Sequence, residues 1–264
     1  MHIREKALRV IKDYSEVGMP RFFVDPMQVS SDRIVIENED VNHISRVLRM
    51  KAGDALTVCD GAGTDYECTI ASIEPDAVLL DIESRRESVS ELPIRITLFQ
   101  GLPKADKMEL IIQKTVELGV SEIVPVAMSR SVVKLDDKKA AKRTIRWQSI
   151  AESAAKQSGR GIIPVVREPM TYGNALKYAK ELDAILIPHE NAEGIENTRR
   201  VVEGLKDCMS VGFFIGPEGG FSQDETEKAT EAGAEMITLG RRILRTETAG
   251  LALMSILAYE LERE

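Results

Sequence analysis

The chain has 264 residues, 43% of them hydrophobic and 30% charged, with a formal net charge of −8. That length suits two domains, each with apolar residues enough for its own core, and the composition is that of an ordinary globular chain. The sequence shows no apolar run long enough for a membrane span and no charged-then-apolar leader, and its net charge has the wrong sign for a generic nucleic-acid binder. Residues 1–90 carry 11 Lys and Arg against 17 Asp and Glu, and the remainder 24 against 26, so neither part is basic as a whole. Binding to a polyanion therefore has to rest on local clusters. Cys59, Cys68 and Cys208 are odd in number and lack C-x-x-C spacing. They argue against a disulfide framework or a metal site, and for buried free thiols in a reducing cytosol.

In chain order, residues 1–18 carry Leu8, Val10 and Ile11 among charges and suit a short helix. Arg21-Phe22-Phe23-Val24 is strand-like, and residues 33–37 alternate as a half-buried strand does. Residues 39–50 have helical spacing through Val41, Ile44, Val47 and Leu48. Three β-prone runs follow at 56–58, 66–70 and 78–82, and Asp60-Gly61-Ala62-Gly63 signals a hairpin. Short strands with tight turns predict a small barrel. Composition shifts at 87–93, which reads as a linker. Beyond it strands at 94–99, 123–127, 184–187, 211–215 and 236–239 alternate with helices near 105–118, 138–157, 195–206, 222–232 and 247–261. That rhythm predicts an α/β domain with a mainly parallel sheet.

Three strand ends in this second part carry residues suited to chemistry. The buried-strand pattern at 211–215 runs into Gly216-Pro217-Glu218-Gly219-Gly220-Phe221, and Ser222 with Glu225 forms a capping box that starts a helix. Open α/β sheets bind ligands at such a strand end, where glycines admit positive φ and close backbone approach. Taken alone, the glycines are explained better by a plain tight turn, and the spacing is not a G-x-G-x-x-G dinucleotide fingerprint. The second segment is Leu239-Gly240-Arg241-Arg242-Ile243-Leu244-Arg245-Thr246-Glu247, three arginines ahead of a helix that is apolar nearly all round. Glu247 suits the first turn of that helix, Thr246 suits its N-cap, and the arginines suit either a solvated face or an anion site. The third is Ile187-Pro188-His189-Glu190, a strand that ends in polar residues. By the crevice rule the three could converge on one pocket.

Taken in order, several motifs carry a resemblance. They are Met19-Pro20-Arg21-Phe22-Phe23-Val24, the run from His43 to Arg49, Gly101-Leu102-Pro103-Lys104 with Lys107 and Glu109, the run from Lys114 to Val120, and the stretches 215–221 and 239–249. Together they resemble the RsmE family, bacterial enzymes of the SPOUT superfamily that methylate N3 of a uridine in 16S ribosomal RNA. The resemblance covers essentially everything from Met19 onward. Family members usually begin near the Arg-Phe-Phe run, so residues 1–18 are either a real extension or lie ahead of a natural start at Met19.

The resemblance implies three segments: an extension at 1–18, a PUA-like RNA-binding β-barrel at 19–90, and a trefoil-knotted α/β methyltransferase domain at 91–264. It implies S-adenosyl-L-methionine held by Ile187, Pro188, His189, Gly216, Pro217, Glu218, Gly219, Gly220, Leu239, Gly240, Ile243 and Leu244. It also implies a cytoplasmic homodimer acting on 16S rRNA of the small ribosomal subunit, with no membrane and no metal involved. Uridine N3 is a poor nucleophile until its proton leaves, so the anionic base needs stabilising. Arg245 is the candidate for that charge, and Glu247 either orients the arginine or accepts the proton. Arg21, Arg46, Arg49, Lys51, Lys104 and Lys107 are the candidate RNA contacts. The basic run with Lys134, Lys138, Lys139, Lys142 and Arg143 reads equally well as a solvated helix face. His43 suits a structural or RNA-facing place. Two other readings are a ribose 2′-O-methyltransferase acting on transfer RNA and a non-catalytic ribosome-assembly factor.

Overall fold

A computed structural model describes residues 19–133, 136–192 and 194–262. The helix expected over 1–18 lies outside these, as does Lys134. The chain divides into two compact units, the first ending at Ser90 and the second beginning at Glu91.

The first unit is a five-stranded sheet of β1 (Arg21–Phe23), β2 (Arg33–Glu37), β3 (Ala55–Cys59), β4 (Thr64–Ile73) and β5 (Ala77–Glu87), in the order β1-β3-β4-β5-β2. β1 runs parallel to β3, and the other pairs are antiparallel. Alternation along β2 sends Ile34 and Ile36 into a core with Phe22, Leu56, Val58 and Leu80. The hairpin at 60–63 forms because the Asp60 carboxylate accepts from the amides of Ala62 (2.8 Å) and Thr64 (3.0 Å), while Gly61 and Gly63 take positive φ.

The helical spacing at 39–50 resolves differently from a regular helix. One α-turn, Glu39–Asn42, passes into a π-helix at His43–Val47. The wider turn keeps Val41 and Ile44 inside but leaves Val47 68% and Leu48 40% exposed. The 87–93 segment also departs from a loose linker. β5 runs to Glu87, and Glu91 accepts from the amides of Gly161 (2.8 Å) and Ile162 (3.0 Å) while pairing with the buried Arg160.

The second unit is a parallel sheet of β6 (Arg95–Gly101), β7 (Glu122–Ala127), β8 (Val165–Val166), β10 (Ala184–Pro188), β11 (Ser210–Ile215) and β12 (Glu235–Ile237), in the order β12-β10-β11-β6-β7-β8, with β9 (Met170–Thr171) also beside β7. Every pairing in it is parallel. Helices Lys107–Glu117, Asp137–Gln157, Tyr172–Ala179, Ile195–Glu203, Gln223–Glu231 and Thr246–Leu261 accompany the sheet. Two separate clusters of buried side chains pack in this unit, and the central strands contribute to both, as buried parallel strands must. Leu98 and Phe213 belong to one cluster, while Phe99 and Phe214, stacked with ring centroids 4.4 Å apart, belong to the other.

Two details differ from the expected elements. β12 stops at Ile237 because Thr198 captures the next residue, its hydroxyl donating to the Thr238 carbonyl (3.0 Å) and accepting from the Thr238 amide (2.9 Å). The helix at 246–261 is not buried all round: Leu253, Met254 and Leu257 are covered, whereas Ile256 is 38% and Tyr259 87% exposed. Among the described residues, no helix is long and apolar enough to cross a membrane.

Candidate active site

In a parallel sheet all carboxyl ends lie on one edge, and here β6, β10, β11 and β12 are consecutive neighbours. The segments that leave them, 102–106, 189–192, 216–222 and 238–245, therefore gather at that edge. Between the segments after β10, β11 and β12, with Lys107 and Arg130 also on its wall, lies a cavity of about 1170 Å³, roomy enough for a cofactor with part of a substrate.

All of the predicted donor residues except Ile187 line this cavity: Pro188 and His189 after β10, Gly216 to Gly220 after β11, and Leu239, Gly240, Ile243 and Leu244 after β12. Ile187 is fully buried and packs in the core with Phe214 and Phe99, because alternation along β10 turns it into the sheet's own packing. His189 donates its backbone amide to the Ile237 carbonyl (2.9 Å), and its Nδ1 accepts from the Asn191 amide (3.2 Å). Further lining residues that sequence reasoning passed over are Arg130, Ala192, Gly194, Ile195, Glu196 and Thr238. Gly194, the one glycine between β10 and the helix at Ile195–Glu203, was the available signal for this part of the lining.

The 216–220 loop is held from several sides. Its first turn is tight: a Cβ on Gly216 would lie 3.0 Å from the Gly220 carbonyl carbon, and Gly220 takes φ +66°, so glycine is needed at both ends. The Arg130 guanidinium donates to the Gly219 carbonyl (2.9 Å). The Glu218 carboxylate accepts from the Lys104 amide (3.1 Å) and pairs with Lys107 (3.1 Å). Lys107 also stands 3.2 Å from Glu247 Oε2, an approach too oblique for a directed hydrogen bond. One ammonium thus joins the 216–220 loop to the first turn of the last helix.

The electrostatics follow from this bridge. Glu247 is held below the usual carboxylate range, first by its own backbone amide at the helix start and then by Lys107 and Arg245, against burial. At Glu218 burial works in the opposite direction, but its own amide, the Lys104 amide and the Lys107 ammonium prevail and lower it. Lys107 is raised, chiefly by its close approach to the Glu218 and Glu247 carboxylates.

Arg245 is exposed and lines the cavity as the N-cap of the helix Thr246–Leu261. Thr246 is therefore not the cap; its hydroxyl is turned inward and donates to the Gly216 carbonyl (2.6 Å). The predicted RNA contacts divide. Arg46, Arg49, Lys51 and Lys104 are exposed. Arg21 instead pairs with the buried Asp65 (2.7 Å) within the first unit, and Lys107 is already committed to two carboxylates. On the helix Asp137–Gln157, Lys138, Lys139 and Lys142 are exposed and Arg143 is half-buried, Lys139 pairs with Asp136 (2.9 Å) and Arg146 with Glu109 (2.7 Å). That arrangement favours the solvated-face reading. His43 is exposed and meets Phe22 edge-on at 5.9 Å. The cysteine thiols are raised by burial, Cys68 to about 12, so they are poor nucleophiles and metal ligands.

Known proteins share this architecture. The chain matches a family of RNA methyltransferase domains over residues 90–258 and a family of RNA methyltransferase PUA domains over residues 36–83. It is 38% identical over 251 residues to the ribosomal RNA small subunit methyltransferase E of Bacillus subtilis, covering 92% of this chain and 98% of that one. A crystal structure of the ribosomal RNA small subunit methyltransferase E of Neisseria gonorrhoeae bound to S-adenosyl methionine superposes with a TM-score of 0.75 at 35% identity, over 89% of this chain and 95% of that one. A methyltransferase from Legionella pneumophila, in complex with the same cofactor, superposes with a TM-score of 0.76 at 31% identity, over 91% and 97% of the two chains. Fold, site geometry and sequence agree that the chain belongs to the ribosomal RNA small subunit methyltransferase E family.

Proposed function

We propose that this protein transfers a methyl group from S-adenosyl-L-methionine to N3 of a specific uridine in 16S rRNA of the small ribosomal subunit. The observation that carries the reading is the convergence of three strand-end segments on one cavity, with Arg245 and Lys107 on its wall. The residues present suit the donor. Backbone amides and carbonyls of the 188–190, 216–220 and 238–244 segments can serve the polar edge of an adenine, Leu239 and Leu244 its faces, and Glu190, Glu196 and Glu218 a cationic group. When bound, the donor supplies an electrophilic methyl on a sulfonium.

The chain's own residues supply position and charge. Arg245 stabilises the anionic uracil that remains once the N3 proton has passed to solvent water. A carboxylate held below its usual range is a poor proton acceptor at neutral pH, so Glu247 serves to hold Arg245 and Lys107 in place. Uridine N3 pairs in a duplex, so the target is unpaired or turned out of its helix. Arg46, Arg49, Lys51 and Lys104 contact phosphates, and Arg21 braces its own sheet through Asp65.

Three finer readings belong to the same proposal. The boundary near residue 90 separates a PUA-like barrel from a trefoil-knotted methyltransferase domain. Register shifts between β4 and β5, which bend a sheet, support barrel closure, and the return of the chain after β12 to meet Gly216 supports the knot. The protein acts as a cytoplasmic homodimer, with the exposed Ile256 and Tyr259 of the last helix covered by the second copy.

The test has two arms. Calorimetry is expected to show S-adenosylmethionine binding, and mass spectrometry of digested product RNA to place the methyl on the uracil base. A methyl on the ribose would point to a 2′-O-methyltransferase, and no donor binding to an assembly factor.

A further inference from the structure

Gln100, at the end of β6, is fully buried, and its Nε2 donates to the Gly101 carbonyl (3.0 Å) and to the Thr246 hydroxyl (2.9 Å). The Gly101 carbonyl can only accept, so the amide must present its nitrogen on this side. The Thr246 hydroxyl, already accepting from Gln100, keeps one proton, and it donates that proton to the Gly216 carbonyl at 2.6 Å. Every donor direction in this buried relay is thereby forced.

Local structure gives no reason for the relay. The Thr246 hydroxyl does not cap its own helix, whose cap is Arg245, and threonine is not a strong helix former. Its place in the chain, between Arg245 and Glu247, is what the hydroxyl exploits. A single bond fixes the first carbonyl of the donor loop against the turn that carries both flanking side chains.

We propose that Thr246, oriented by Gln100, is a positioning residue that sets the Gly216 loop in register with Arg245 and Glu247, so that donor and target base meet in line. The proposal rests on the methyltransferase reading of the cavity. Misplacement of reacting groups is costly in methyl transfer because so much of the rate comes from orientation.

The test compares Thr246→Val, which keeps the shape and removes the hydroxyl, with Thr246→Ser, which keeps the hydroxyl, and with Gln100→Met. S-adenosylmethionine affinity is read by calorimetry, and kcat and KM on unmethylated small ribosomal subunits, at a temperature where circular dichroism shows each variant folded. The Val and Met variants are expected to bind the donor about tenfold more weakly and to lose kcat at saturating donor, with Ser within about threefold of the parent. Parent-like affinity and kcat in Thr246→Val would overturn the proposal, as would a Ser variant as impaired as the Val one. If the Val variant does not fold, Ser and Gln100→Met decide: a parent-like Ser with a weakened Met supports the proposal, and any other pair contradicts it. If the parent itself binds no S-adenosylmethionine, it is the reading of the cavity that falls.

Discussion

A Cβ on Gly101 would sit 2.6 Å from Pro217 Cδ and 2.7 Å from Pro217 N, so the end of β6 and the donor loop touch through their backbones. Gly101→Ala must push that loop outward. The expected cost is about 1–3 kcal/mol of stability, together with weaker S-adenosylmethionine binding, measurable by thermal denaturation and calorimetry. The Lys107 bridge predicts a pH window. Glu218 and Glu247 are depressed, so their contribution is complete above the ordinary glutamate value of about 4.3 and is lost as pH falls through the lower folded values. Lys107 is raised, so its contribution is complete below about 10.4 and is lost as pH rises through the higher folded value. The melting-temperature difference between the parent and Lys107→Met should be flat from about pH 5 to 10 and shrink outside that range. At Arg245, replacement by Ala should lower kcat by roughly 10²-fold or more while the folded protein keeps its melting temperature, since the side chain is exposed. An unchanged methylation rate would remove Arg245 from the mechanism.

Among the elements, the start of the helix Gln223–Glu231 couples two strand ends. Ser222 accepts from the Glu225 amide (3.2 Å), and the Glu225 carboxylate accepts from the Ser222 amide (2.9 Å) and from Ser129 beyond β7 (2.7 Å). Ser222→Ala should cost about 1 kcal/mol. Glu225→Ala should cost more, because it strands two amides, which urea denaturation would show. This box was legible in the sequence because both partners lie within one turn. The same holds for the strand at 210–215, whose apolar run ends in glycines, and for the long helix at 137–157, whose expected bounds fall within a residue of those observed. The short β8, β9 and the helix Tyr172–Ala179 were not legible, being too brief to show a period. The π-turn at His43–Val47 escaped because its spacing imitates an α-helix over so few residues. Within the site, glycine punctuation pointed to loops that line the cavity, but Gln100 and Thr246 meet across 146 residues of chain. No local pattern records such a pairing, just as none records Arg130 reaching Gly219.

For the molecule as a whole, the proposed function requires a chain of net charge −8 to bind a polyanion, and the exposed Arg46, Arg49, Lys51 and Lys104 are the contacts proposed for it. RNA affinity should therefore fall steeply with salt, and Arg46→Ala with Arg49→Ala should flatten the log–log slope by about 1 for each phosphate no longer neutralised. A slope unchanged by both substitutions would move the docking surface elsewhere. Donor loop, Arg245 and docking surface have to act together on one base. The decisive experiment incubates the protein with labelled S-adenosylmethionine and small ribosomal subunits from a strain lacking this gene, then maps the label by mass spectrometry. About one methyl per subunit is expected, on N3 of a single 16S uridine, absent with Arg245→Ala and absent on subunits already modified. Label on a ribose, on several unrelated nucleotides, or on no RNA at all would contradict the proposed function.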